Sequence, residues 1–172
     1  KNNYKKINEK YFNKKIEKNI AEKLVIKINE NLDLLSYNKI INFNLIKKLE
    51  KKYNYLIIEI YLNKNKIINE KIINYSKNNI LLIRPNLIGI KNSKKIIEKN
   101  KIENNLKIII NNYNKYSIDE KVLKKIFFES EIIGKVKSNI EFENFINRNF
   151  KIELNKNKSF MKEIKPIIQK II

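Results

Sequence analysis

The stretch Tyr53-Asn54-Tyr55-Leu56-Ile57-Ile58-Glu59-Ile60-Tyr61 sets the reading of the fold, because a short apolar run closing on one carboxylate is how a buried parallel strand presents an acid. Residues 56–60 show no two-residue alternation, the pattern of a strand covered on both faces, as parallel strands in α/β proteins are. In open α/β sheets ligands bind beyond the carboxyl ends of the strands, and in nucleotide-binding sheets an acid at that end holds magnesium. Glu59 therefore carries two readings: a magnesium-side acid, or a side chain that simply reaches solvent where the strand ends.

Outward from that stretch, strand-like and helix-like segments alternate. On the amino side, Leu45, Ile46, Leu49 and Tyr53 make one helical stripe over residues 43–53. Before it, Leu24-Val25-Ile26-Lys27-Ile28 and Leu32-Asp33-Leu34-Leu35-Ser36-Tyr37 read as two strands joined through the polar turn Asn29-Glu30-Asn31, a hairpin. Residues 2–22 place Tyr4, Ile7, Tyr11, Phe12, Ile16 and Ile20 on one helical face that should lie on a sheet. On the carboxyl side, residues 67–75 read as a short helix and Ile80-Leu81-Leu82-Ile83 as a strand stopped by Pro85, which cannot donate to a ladder. Asn86 can cap the next helix, with Leu87, Ile90 and Ile97 expected to face inward. Leu106-Lys107-Ile108-Ile109-Ile110 is a further buried strand, ending at Asn111-Asn112. Ser117-Ile118-Asp119-Glu120 has the form of a capping box, Ser117 accepting an amide and Glu120 reaching back, ahead of Val122, Leu123, Ile126 and Phe127 at core spacing. Residues 131–136 then read as a strand, 140–147 as a short helix burying Phe142, Phe145 and Ile146, and 159–172 as a terminal helix. Alternation at this spacing predicts right-handed βαβ crossovers and an α/β fold, a mainly parallel sheet with helices on both faces, in a single domain over residues 1–172.

Composition narrows the chemistry. A chain of 172 residues with 42% hydrophobic content is long and apolar enough to build one substantial core. Without Cys or His it has no disulfide framework, thiolate nucleophile or imidazole base, and it lacks the usual zinc ligands. No apolar run approaches the roughly 20 residues needed to span a bilayer, and no signal-peptide pattern opens the chain. The net charge of +20 would ordinarily point to nucleic acid. Here it is nearly all Lys, with Arg only at Arg84 and Arg148, in a Lys-, Asn- and Ile-rich sequence typical of an A+T-rich genome. Arg is the residue that grips phosphates and guanines bidentately, so the charge predicts weak, salt-sensitive attraction without specific nucleic-acid recognition.

The order of features at the strand ends resembles the MinD and ParA superfamily of deviant Walker-A ATPases, P-loop NTPases by fold, and within it the CpaE/TadZ pilus-assembly branch. The hairpin ending Leu32-Asp33-Leu34-Leu35-Ser36-Tyr37 is similar to the segment before that branch's Walker-B region, and Leu56-Ile57-Ile58-Glu59 to the strand with the magnesium-side acid. Ile80-Leu81-Leu82-Ile83-Arg84-Pro85-Asn86-Leu87 and Lys91-Asn92-Ser93-Lys94-Lys95-Ile96-Ile97 resemble the next strand and helix. Ile108-Ile109-Ile110-Asn111-Asn112-Tyr113 resembles the strand whose terminal Asn contacts adenine, and Ile133-Gly134-Lys135-Val136 with Asn147-Arg148-Asn149 the last strand and its turn. The likeness runs from about Leu24 onward. Departures accompany it: Glu59 stands where the family has Asp, Asn112 where it has Arg, Lys137 where it has Pro and Asn149 where it has Gly. The only glycines, Gly89 and Gly134, make no phosphate loop.

The resemblance implies a chain that is the C-terminal part of such an ATPase domain, incomplete at its N-terminus. It implies ATP and Mg2+ as cofactors of the complete protein, Glu59 as the Walker-B-like acid and Asn111 as the adenine contact, with no catalytic residue assigned and these residues alone not hydrolysing ATP. For Asn111 the alternative is a helix or turn cap. It further implies a cytoplasmic protein, with peripheral contact at the inner face of the membrane, protein partners in a pilus or secretion machine and a nucleotide-dependent homodimer. Function can then be read in three ways: a CpaE/TadZ-like ATPase segment that positions or assembles such a machine, an ATPase-dead scaffold of the same fold, or a basic nucleic-acid-binding module supported by charge alone. The terminal helix has its own pair of readings. Its stripe of Phe160, Ile164, Ile167, Ile168 and Ile171 among lysines can pack on the core or lie on an anionic membrane, and Pro166 tilts the choice toward packing.

Overall fold

The computed structural model describes residues 25–27, 30–35, 43–60, 70–102, 105–139 and 158–172. The helices expected over residues 2–22 and 140–147, and the turn at Asn147-Arg148-Asn149, lie outside them. The chain forms two compact units, Lys1–Glu59 and Ile60–Ile172.

In the first unit, strands β1 (Val25–Lys27) and β2 (Asp33–Leu35) pair antiparallel with Ile26 opposite Leu34, the hairpin expected from the two runs flanking Asn29-Glu30-Asn31. Helix α1 (Phe43–Glu50) buries Leu45 and Ile46, two members of the expected stripe. Tyr53, just beyond the helix, donates its hydroxyl hydrogen to Asp33 Oδ2 at 2.8 Å and so ties this segment to β2. The strand expected over residues 56–60 is not formed: residues 55–60 carry no strand pairing, and Ile57 is 90% exposed. An apolar run becomes a strand only where a neighbouring strand accepts its backbone groups. Among the described residues none does.

The second unit is a three-stranded parallel sheet in the order β3 (Asn79–Ile83), β4 (Leu106–Tyr113), β5 (Glu131–Lys137). Helix α2 (Glu70–Tyr75) leads into β3, α3 (Leu87–Asn100) connects β3 to β4, α4 (Glu120–Ile126) connects β4 to β5, and α5 (Lys158–Gln169) closes the chain. Leu81 pairs with Ile108 and Ile83 with Ile110, so alternate residues line up on each face. On one face Leu106, Ile108 and Ile110 pack with Ile90 of α3 and with Leu123 and Phe127 at the end of α4. On the other, Ile109, Ile133 and Val136 pack with Ile167, Phe160 and Ile164 of α5 and with Ile171 just beyond it. Ile108 and Ile110 are fully buried, each worth roughly 1.5–3 kcal/mol as a buried side chain. The α/β class and the helices on both faces thus stand as the alternation indicated.

Two local expectations change. Leu87 does not face inward but is 79% exposed, because the buried face of α3 runs through Ile90, Ser93 and Asn100. The start of α4 is capped by Asp119, whose Oδ1 accepts from Lys121 N at 2.7 Å, and not by Ser117. Ser117 Oγ instead accepts from Asn114 N at 2.9 Å, closing the turn that precedes the helix. With Asp two residues nearer the first helical turn, the hydroxyl is released for that turn.

Candidate functional site

The carboxyl edge of the parallel sheet is where a ligand would approach an α/β fold. Three loops meet there. After β3, Asn86 caps α3, its Oδ1 accepting from Gly89 N at 2.7 Å. Gly89 is required at that step, since a Cβ would collide with the carbonyl oxygen of Arg84 and draw within 3.1 Å of its carbon. The loop after β4 is bound to the loop after β3 by Ile118 N donating to Pro85 O at 2.9 Å. The end of β5 is bound to that of β4 by Ser138 N donating to Tyr113 O at 2.9 Å.

Asn111 lies inside β4, half-buried, two residues before its end, not at a strand terminus. Its Oδ1 accepts from the backbone N of Asn112 at 3.0 Å. Asn112 has a left-handed backbone, φ 60, and the register between β4 and β5 shifts between Ile110 and Tyr113. The amide of Asn111 thus braces the irregular step in β4. Beyond it, Tyr116 N donates to Asn114 Oδ1 at 2.9 Å, and Asn114 in turn holds Ser117.

Sequence reasoning did not single out the charged cluster on the same edge. Glu120 at the start of α4 pairs with Lys124 at 2.9 Å and with Lys135 of β5 at 3.1 Å. Lys135 also sits 5.0 Å from the centroid of the Tyr113 ring. Hydrogen bonds from Lys124 and then Lys135 hold the Glu120 carboxyl below its ordinary pKa, and the Glu120 carboxylate raises Lys135 above its own. The readable half of this cluster was the i, i+4 spacing of Glu120 and Lys124. The Lys135 half depends on the register that sets Ile110 beside Lys135, on the α4 side of the sheet.

Glu59 is exposed, at the end of the first unit, in a segment without strand pairing. Glu59 and Asn111 belong to different units, so their expected pairing across one nucleotide rests on the resemblance alone. Among the described residues no group of three or more His, Cys, Asp or Glu could hold a metal ion. Among the described residues, Glu59 is not presented by the end of a paired strand. No helix among the described residues is long and apolar enough to cross a membrane. Compared with protein-family models, with curated proteins and with solved structures, the chain matches none.

Proposed function

We propose that the chain is a scaffold of MinD/ParA-like α/β fold that makes contacts with other macromolecules without turning over ATP, in the setting its CpaE/TadZ-like features suggest, the assembly or positioning of a pilus or secretion machine. The observation that carries this reading is the condition of the carboxyl edge. Asn111, Asn114, Ser117, Asp119 and Glu120 each direct a side-chain oxygen to a partner within the protein. A nucleotide taking Asn111 Oδ1 would first have to break the bond that steadies Asn112, and breaking a satisfied partly buried bond costs about 0.5–1.5 kcal/mol. Such an edge is built to hold a shape.

The ATPase-segment reading is kept by one observation, the place of Asn111 in the carboxyl half of the central strand. Calorimetric titration of the full protein with ATP and Mg2+, repeated on Asn111→Ala and paired with a phosphate-release assay, separates the two. The scaffold reading expects no turnover and no Asn111-dependent affinity. An affinity that falls about tenfold or more on Asn111→Ala, the loss of a hydrogen bond a ligand needs, would instead establish the nucleotide site.

A further inference from the structure

Among the described residues of the second unit, four large apolar side chains are at least three-quarters exposed: Leu87 at 79%, Ile88 at 75%, Tyr116 at 83% and Phe128 at 78%. Three of the four gather at the carboxyl edge of the sheet. Leu87 and Ile88 open α3 and Tyr116 belongs to the loop after β4. The Ile118 to Pro85 hydrogen bond joins those two loops, two residues from Tyr116 and two from Leu87. Cations are interleaved with them. Arg84 is exposed at the end of β3, Lys91 lies one helical turn beyond Leu87 on the same face of α3, and Lys115 Nζ is 4.9 Å from the centroid of the Tyr116 ring. Single exposed apolar residues are ordinary on any protein, but a group of them rimmed by charged side chains marks a contact surface.

We propose that this edge docks on an anionic lipid surface, with Leu87 and Ile88 entering the acyl boundary, Tyr116 at headgroup depth, and Arg84, Lys91 and Lys115 over the anionic headgroups. Charge complementarity selects this occupant: 38 Lys and Arg stand against 18 Asp and Glu, and a surface of like charge repels a second copy of the chain. Lys is depleted at the centre of protein interfaces, whereas lipid-facing elements combine Lys with aliphatic and aromatic tips. Tyr is suited to the boundary because its ring is amphipathic. The site is separate from α5, which is held against the sheet through Ile167, Phe160 and Ile164.

The test is co-sedimentation of the full chain with vesicles of phosphatidylcholine containing phosphatidylglycerol, against phosphatidylcholine alone. Wild type should bind the anionic vesicles and release as salt rises. The double variant Leu87→Ser, Ile88→Ser should lose about tenfold or more in partitioning, given the transfer of two aliphatic side chains. Phe128→Ser, altered at an equally exposed position at the opposite end of the sheet, should bind as wild type. A triple variant, Arg84→Gln, Lys91→Gln and Lys115→Gln, removes the electrostatic half with the apolar tips intact and should also weaken binding. The proposal is overturned if wild type ignores anionic vesicles, if the Leu87 and Ile88 substitutions leave binding unchanged, or if Phe128→Ser weakens it equally. Equal capture by soluble polyglutamate, indifferent to Leu87 and Ile88, would assign the surface to an acidic protein and overturn it as well.

Discussion

Glu120 receives cations from two directions, from Lys124 along its own helix and from Lys135 across on β5. Its carboxyl is held below the ordinary value, so its contribution to stability is present above the unfolded carboxylate pKa and is lost as pH falls through the lowered folded value. Lys135, raised, contributes fully below the ordinary lysine pKa and loses that contribution as pH rises through the raised one. Both side chains are solvent-facing, so the effect should be about 1 kcal/mol or less. Melting temperatures of wild type and Glu120→Gln should therefore converge on the acid side and separate toward neutral pH; parallel curves at all pH values would mean that the pairs contribute nothing. At this scale the sequence was only partly legible. Asn86 could be read as a cap because Pro85 isolates it from β3. At the next helix two oxygen-bearing residues compete, and Asp119 prevails over Ser117 for reasons of position that only the turn from Asn114 reveals. Asn111 shows the same limit, since an amide at the end of an apolar run can serve a ligand or its own neighbour, and the local backbone decides.

Helix α5 and strand β5 meet at a point no periodicity could locate. Of the stripe expected over the terminal helix, Phe160, Ile164 and Ile167 of α5 and Ile171 just beyond it pack on the sheet, while Ile168 stays exposed. What lies beneath Ile167 is Gly134, where an added Cβ would collide with Ile167 Cγ1 and come 2.6 Å from Cδ1. The register of β5 shifts there, Ile108 pairing with Ile132 and Ile109 with Gly134, so the glycine falls under the helix only because of the bulge at Ile133. Gly134→Ala should destabilise by about 1–3 kcal/mol through overpacking, and Ile167→Ala by about 2–5 kcal/mol. Removing Ile167 leaves room for the new methyl, so the double variant should cost less than the sum, with a coupling of about 0.5 kcal/mol or more. Strict additivity in urea unfolding would separate α5 from Gly134. Two runs of similar composition make the complementary point about strands. Leu106-Lys107-Ile108-Ile109-Ile110 is paired on both sides and buried, while Leu56-Ile57-Ile58-Glu59-Ile60 has no such partners among the described residues and leaves Ile57 exposed.

At the scale of the molecule, the α/β class was legible because apolar runs, caps and stripes alternate through residues 79–137, and each crossover helix finds the same face of the sheet. The condition of the carboxyl edge was not legible. Asn111 bonds to Asn112 N, Ser117 to Asn114 N and Glu120 to Lys124 and Lys135, partners set by the left-handed step at Asn112, by the turn from Asn114 and by the register of β5. The central claim is that this edge is closed on itself and presents a contact surface instead of a nucleotide site. Hydrogen–deuterium exchange across residues 106–117 of the full protein, with and without ATP and Mg2+, tests it most directly, because amide protection responds to an occupied edge whether or not hydrolysis occurs. The account predicts superimposable exchange in the two conditions. Saturable slowing confined to residues 111–117 on addition of the nucleotide would contradict it.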